Sequence, residues 1–509
     1  MPFPRSFVVA ALAMSGALAI AVVPRTAAAQ SSSKLAPVGG RTTLVGGTGL
    51  AYGRDSASAF LNPATVLRVD PGRLAFSVNF YELSLFTSKR WYQPGAVDRA
   101  LFGDIRQEQA TITTAGFDSL PGSLCLFLRV GDITFLARGD RKNLMESQAR
   151  LGLCLATVES NDFSLNREDY QQQTATGATR QAQAVRQTFR RIAVGPTYAM
   201  YITNALAFGA SVHLSRAGFR SSFQSTATST GPGGRAITSA FNSSAHGDSY
   251  DVSATVGATY RIGRHQTVAL ALEAPSLHAF GTGGVSRYTH YDGAGEATAS
   301  ISASGPFAAR TPVRLALGTG IERAWGSAEI NVSYHLPVGS GYRATLDGRA
   351  GDVNGGVASD RAVTFDASTR GRGVVNVGVG GEVTIAPYLS LLGGFGTDLS
   401  TARSDGLAED VMGYFSSRTN RLTTSFGLGS HGDGGDLLVG GELAYGWGER
   451  LVVNSYRLPA RFETTGHETV SLLIVIAGST SFKAIRRAVN DVTKAVPLNV
   501  PEPKKPAPP

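Results

Sequence analysis

Apolar and polar residues alternate with a period of two along much of the chain. From Tyr250 to Ile262 one set is Tyr250, Val252, Ala254, Val256, Ala258, Tyr260 and Ile262, against Asp251, Ser253, Thr255, Gly257, Thr259 and Arg261. Val313, Leu315, Leu317 and Ile321 alternate with Arg314, Ala316, Gly318 and Gly320, and Val375, Val377, Val379, Val383 and Ile385 with Asn376, Gly378, Gly380, Glu382 and Thr384. Leu422 to Leu428 and Leu437 to Tyr445 repeat the pattern. Successive side chains of a strand point to opposite faces. An apolar set opposed by a small or polar one is the pattern of a strand set between lipid and a polar lumen.

Further strands are expected near 73–85, 122–130, 132–139, 147–157, 191–200, 204–216, 265–273, 327–336, 388–398 and 469–482, with a weak one near 107–114. A soluble β-sandwich would also alternate. Two features favour a barrel: segments of roughly nine to thirteen residues, long enough to cross a bilayer when tilted, and their arrangement. Tight turns such as Arg261 to Arg264 alternate with long Ser/Thr/Gly/Arg-rich stretches, 218–247 and 340–372, which read as loops. The expected fold is all-β, a transmembrane antiparallel β-barrel of about 14 strands over residues 73–482. Trp91, Tyr92, Tyr198, Tyr201, Tyr334, Tyr445 and Trp447 are candidates for its interfacial aromatic girdles.

The ends say where such a barrel goes. Arg5, an apolar run from Phe7 to Val23, and Ala27-Ala28-Ala29 before Gln30 have the layout of a secretory signal peptide over 1–29. An exported barrel belongs to a bacterial outer membrane, where lipid and lipopolysaccharide surround it and the outer-membrane assembly machinery inserts it. At the other end, 483–496 place Ile485, Val489, Val492 and Val496 at helical spacing. A Pro-rich stretch follows, so 483–509 reads as a periplasmic helix and tail. The net charge of +9 could suggest nucleic acid, but the signal region carries +2 of it and the tail +4. The +3 left on the body is too little for a phosphate-backbone surface. The Gln/Arg-rich stretch 167–191 reads as a loop whose arginines could meet lipopolysaccharide phosphates.

Candidate chemistry is thin. Nucleophile-elbow, zinc-protease, phosphate-loop and Cys-x-x-Cys motifs are absent from the sequence, so no catalytic residue, metal site or cofactor is expected. Ser430, His431, Asp433 and Asp436 fall where a hairpin turn is expected, and His246, Asp248 and Ser249 at the start of a strand. Cys125 and Cys154 should both face the lumen. With a strand at 132–139 between theirs, two spacings of ~4.8 Å put their Cα atoms about 9.6 Å apart, past the ~7 Å reach of a disulfide. Two free thiols are expected.

Ahead of the first strand, in the segment 30–72, lies Gly46-Gly-Thr-Gly-Leu-Ala-Tyr-Gly-Arg-Asp55-Ser-Ala-Ser-Ala-Phe60-Leu-Asn62-Pro63-Ala64. It resembles the N-terminal signature of the FadL-type outer-membrane long-chain fatty-acid transporter family, in which an acidic residue and small residues lead into Asn-Pro-Ala. Thr65-Val66 stand where that family has Gly-Leu. The resemblance implies a 14-stranded barrel with an N-terminal hatch in its lumen. It also implies transport of a hydrophobic solute such as a fatty acid, leaving sideways through the wall. The implied gate residues are Asp55, Ser56, Ser58, Phe60, Asn62, Pro63 and Ala64. A structural or secretion-associated barrel is the alternative, and an outer-membrane hydrolase a third reading.

Overall fold

The computed structural model describes residues 38–92, 110–130, 149–174, 177–230, 236–292, 296–337, 341–368, 371–403, 418–432, 434–454 and 461–481. The signal region, the strand expected at 132–139, and the tail lie outside the described residues. The remainder is one antiparallel sheet of eighteen strand segments. Long hairpins build one side: β1 (Arg73–Tyr92), β2 (Ala110–Arg129), β3 (Arg150–Thr174), β4 (Gly177–Tyr201), β5 (Leu206–Thr230) and β6 (Ala236–Ile262). Then come β7 (Gln266–Glu273), β8 (Leu277–Asp292), β9 (Glu296–Ala309), β10 (Arg314–Arg323), β11 (Gly326–His335), β12 (Tyr342–Asn354), β13 (Val357–Ser368) and β14 (Val374–Ala386). β15 (Leu389–Asp398), β16 (Arg418–Gly432), β17 (Gly435–Asn454) and β18 (Arg461–Ser481) complete the wall.

Four pairs of segments are successive halves of one strand. β6 pairs with β7 through Thr255–Ile262 and with β8 through Thr238–Val252. In the same way β7 and β10 lie below β8 and β9, and β11 and β14 below β12 and β13. Pro275, Pro312 and Pro337 stand in three of the four breaks, where a residue without an N–H cannot continue a ladder. Counted as continuous strands the circuit has fourteen members, and it closes through Arg73↔Ser481 of β1 and β18.

The outward set read from the sequence is the exposed set. Val256, Tyr260, Leu315, Leu317, Val375, Val379, Val383 and Ile385 are exposed, whereas Asp251, Thr255, Thr259, Arg314, Asn376 and Glu382 are buried. Tyr198, Tyr260, Trp325 and Tyr388 mark the end with tight turns, and Tyr250, Phe280, Tyr334, Tyr445 and Trp447 the other limit of the apolar band.

Two expectations are overturned. β2 pairs directly with β3 in the register Cys125↔Cys154, and these cysteines form a disulfide with a Cα–Cα distance of 4.2 Å. The free-thiol reading assumed an intervening strand, and the two cysteines are nearest neighbours instead. The stretches 167–191, 218–247 and 340–372, read as loops, are largely strand: β3 to β6, β12 and β13 continue through them. Above the band polarity inverts. On β5 the outward face passes from Val212 and Leu214 to Arg216 and Arg220, while the inward face passes from Ser211, His213 and Ser215 to Ala217, Phe219 and Phe223. Phe189, Phe241 and Phe307 extend that buried inner lining across β4, β6 and β9.

Candidate functional site

Residues 38–69 pack against inward-facing residues from all around the wall. A helical turn at Gly40–Leu44 has no capping side chain. Arg41 anchors it: its guanidinium pairs with Glu382 of β14 at 2.8 Å, donates to the Ser327 hydroxyl of β11 at 3.0 Å, and donates within the segment to Tyr52 O at 3.1 Å. The loop that follows is held by one carboxylate. Glu329 of β11 accepts the backbone N–H groups of Gly49, Ala51 and Tyr52 at 3.0, 2.9 and 3.0 Å. Gly46, Gly47 and Gly49 lie at φ +70, +78 and +143°, conformations that favour glycine. Tyr52 donates to Gly320 O at 3.0 Å and carries the Arg68 guanidinium over its ring at 4.4 Å. Glu322 holds both Arg54 and Arg68 at the turn end; burial brings the Arg68 pKa down to about 10.

The residues singled out from the sequence fall within this segment. Asp55 ties its two ends together, accepting Thr42 N at 2.8 Å, the Thr42 hydroxyl at 3.0 Å and Ala57 N at 3.2 Å. Burial raises its pKa, against the pull of those bonds. The Ser56 hydroxyl donates to Val38 O at 2.8 Å and lies 2.5 Å from the Ser123 hydroxyl of β2. Ser58 begins a second helical turn, Ser58–Leu61, and its buried hydroxyl has no partner among the described residues. Phe60 stacks on His213 of β5 at 4.4 Å. Asn62 donates to Leu50 O at 2.7 Å and accepts Ala64 N at 3.2 Å, capping a 3₁₀ helix over Pro63–Arg68 in which Pro63 supplies the fixed φ of a first helical position.

The wall is cut to fit this segment. A Cβ added at Gly257 would lie 1.9 Å from Asn62 Oδ1, at Gly209 2.4 Å from the Pro63 carbonyl carbon, and at Gly380 2.0 Å from Val45 O. These inward glycines of β6, β5 and β14 are the small residues that the alternation set against the apolar face.

Directly above lies a cavity of about 160 Å³, bordered by Phe60, Leu61, Val158, Glu159, Ala193 and His213 among others. It reaches the wall where the β2–β3 ladder stops. Among the described residues, pairing runs from Arg129↔Arg150 to Ser123↔Ala156. β3 then bulges: Thr157 pairs with Ile192 and Glu159 with Arg191 of β4, leaving Val158 without a partner position. The disulfide lies just below this seam, and Cys125 Sγ is 3.7 Å from Ser56 O.

Among solved structures, one titled as the TodX deltaS2S3 mutant monoaromatic hydrocarbon channel is similar at a TM-score of 0.50 and 14% identity, with 87% of this chain and 99% of that chain covered. The two share a barrel fold. A Pseudomonas aeruginosa FadL homologue has a TM-score of 0.49 at 12% identity, covering 90% of this chain and 100% of its own. The Pseudomonas putida toluene transporter TodX has a TM-score of 0.49 at 15% identity, covering 88% and 99%. No protein-family model matches the chain, and no curated protein matches it.

Of the other sequence candidates the barrel brings His431 and Asp436 together, with the Ser390 hydroxyl of β15 2.8 Å from His431 Nε2. His431 lies between Asp436 and Glu382, each 3.1 Å from a ring nitrogen, and Asp433 is outside the described residues. His246 and Asp248 are on the outward face of β6, whereas Ser249 is buried on the inward face beside Asp251 and His278. The sequence reading missed Arg41, Glu329 and Glu322. Its one available signal was an acidic residue in an otherwise small or polar inward set, as at Glu382.

Proposed function

We propose that this barrel moves hydrophobic small molecules, long-chain fatty acids or similar solutes, across a bacterial outer membrane and releases them sideways into the bilayer between β2 and β3. Residues 38–69 serve as its lumenal hatch, with Asp55, Ser56, Ser58, Phe60, Asn62, Pro63 and Ala64 at its centre. The observation that carries this reading is the interrupted β2–β3 ladder beside the cavity over Phe60. The phenylalanine-lined interior above it supports entry of an apolar solute. Leaving the lumen for water would cost a long chain ~0.8 kcal/mol per methylene, so sideways release is favoured. The neighbours titled as hydrocarbon channels and a FadL homologue point the same way.

The bulge supplies the test. Val158 is the extra residue, so deleting it leaves Ala156 and Glu159 inward and Thr157 and Ser160 outward, with pairing to β4 unchanged on either side. The deletion straightens β3 toward β2. Uptake of labelled fatty acid and of toluene by cells carrying the deletion should fall about tenfold or more, with heat-modifiable, surface-exposed barrel retained. Undiminished uptake would refute release at this seam. Failure to take up either solute in the unaltered protein would favour the structural alternative.

A further inference from the structure

We infer that the outward face of β4 and β5, just above the apolar band, is a docking site for the phosphorylated headgroup of an outer-leaflet glycolipid. The band ends on these strands at Ile192, Val194, Val212 and Leu214, all exposed, with Tyr250 and Phe280 stacked at 4.6 Å beside them. Arg216 follows Leu214 on the same face, about 7 Å further along the strand. Arg190 pairs with Gly218, between Arg216 and Arg220. Asp248 lies across from this glycine, with Oδ1 3.4 Å from where a Cβ would stand, so the three guanidinium groups are gathered around one carboxylate with their outer N–H groups turned to solvent. Arg186 extends the face further up β4, two same-face positions beyond Arg190 with Thr188 between them.

The charge there is unbalanced among the described residues. Asp248 accepts from Arg216 at 2.9 Å and from Arg220 at 2.8 Å, and Asp162 from Arg190 at 2.5 Å. Two carboxylates thus hold three of the four arginines. They also fix the guanidinium planes: each has five N–H donors, and one carboxylate oxygen takes a single donor from Arg216. Oriented guanidinium groups match phosphate oxygens bidentately. Arg190, Arg216 and Arg220 are about half exposed, with side-chain values of 41, 56 and 52%. Acyl chains of the same molecule would lie down the apolar residues below. The β12–β13 hairpin gives the contrast: Arg343, Arg349 and Arg361 are outnumbered there by Asp347, Asp352, Asp360 and Asp366. The arginine excess of β4 and β5 is therefore not shared by the β12–β13 hairpin.

The inference goes beyond transport and needs only the membrane placement; its measurement does not depend on uptake. Purified barrel in neutral detergent is titrated with a bisphosphorylated lipid A and with the same lipid dephosphorylated, and bound lipid is counted by native mass spectrometry. The phosphorylated form should bind about tenfold more tightly, the factor for one added charge-assisted bond. Arg216→Gln with Arg220→Gln should abolish that preference. Arg349→Gln with Arg361→Gln, an equal loss of charge on the other hairpin, should keep it. Equal binding of the two lipids by the unaltered protein would overturn the inference without recourse to any variant. So would equal losses in the two double variants, which would show only a general effect of net charge.

Discussion

Glu329→Ala is the sharpest perturbation of the proposed hatch. The Glu329 carboxylate is buried and takes three backbone N–H groups from Gly49, Ala51 and Tyr52, all within 3.0 Å. A hydrogen bond to a charged group contributes about 1.5–3 kcal/mol. With water partly replacing the lost acceptor, removing the carboxylate should weaken the anchoring of this loop by roughly 3–6 kcal/mol. Glu329→Gln should fall between, because Oε1 takes two of the bonds and an amide in place of Oε2 would oppose the N–H of Tyr52. The barrel itself should survive, since β11 keeps its ladders to β10 and β14. Single-channel conductance in planar bilayers should rise in the alanine variant, and protease should cut near Gly49 in the folded protein. Conductance and cleavage at the unaltered level, with normal insertion, would refute the hatch reading.

The remaining predictions concern the wall. Cys125 and Cys154 should resist alkylation until reduced, and Cys125→Ser with Cys154→Ser should lower stability by ~3.6 kcal/mol, as expected for a closed loop of this separation; thiols reactive without reductant would restore the free-thiol reading. Val379→Arg places charge on the exposed lipid face and should cost assembly about 2–4 kcal/mol, read as lost heat-modifiability. Truncation after Phe482 should leave an inserted barrel, because the closing ladder is already complete at Arg73↔Ser481.

The lower half of the wall was legible in the sequence because two requirements coincide there. Lipid demands an apolar outward set, and the segment 38–69 demands small inward residues such as Gly209, Gly257 and Gly380. Both sharpen the same alternation. On β13 neither demand applies, and almost every residue from Val357 to Ser368 is exposed or half-exposed, so no face stands out. The disulfide was missed because alternation assigns a face to each residue but says nothing about which strands are neighbours. The signature around Asn62 lies in the segment that packs against the inward glycines of the wall. Its anchors were not legible, since Glu329 and Glu382 lie hundreds of residues away and look like ordinary polar members of a strand.

The inversion of polarity up the wall gives the interrupted ladder its meaning. On β5 the interior is apolar at Phe219 and Phe223 and polar from Ser215 down to Ser211, while the exterior changes in the opposite sense between Arg220 and Leu214. A hydrophobic solute descending the lumen is therefore favoured inside as far as this level, and below it is favoured outside. The register across the strands locates the crossing: Thr157 pairs with Ile192, Ile192 with Arg216, and Arg216 with Tyr250. That row is where β3 bulges and its ladder to β2 has just ended. On the proposed function, a solute reaching it would have polar residues and the 38–69 segment beneath it, and the proposed seam at its side. Because burial free energy scales with apolar area, longer solutes gain more from that sideways step. On the proposed function, the wall's polarity gradient lowers the barrier to the sideways step, and net transport runs down the solute's own concentration gradient.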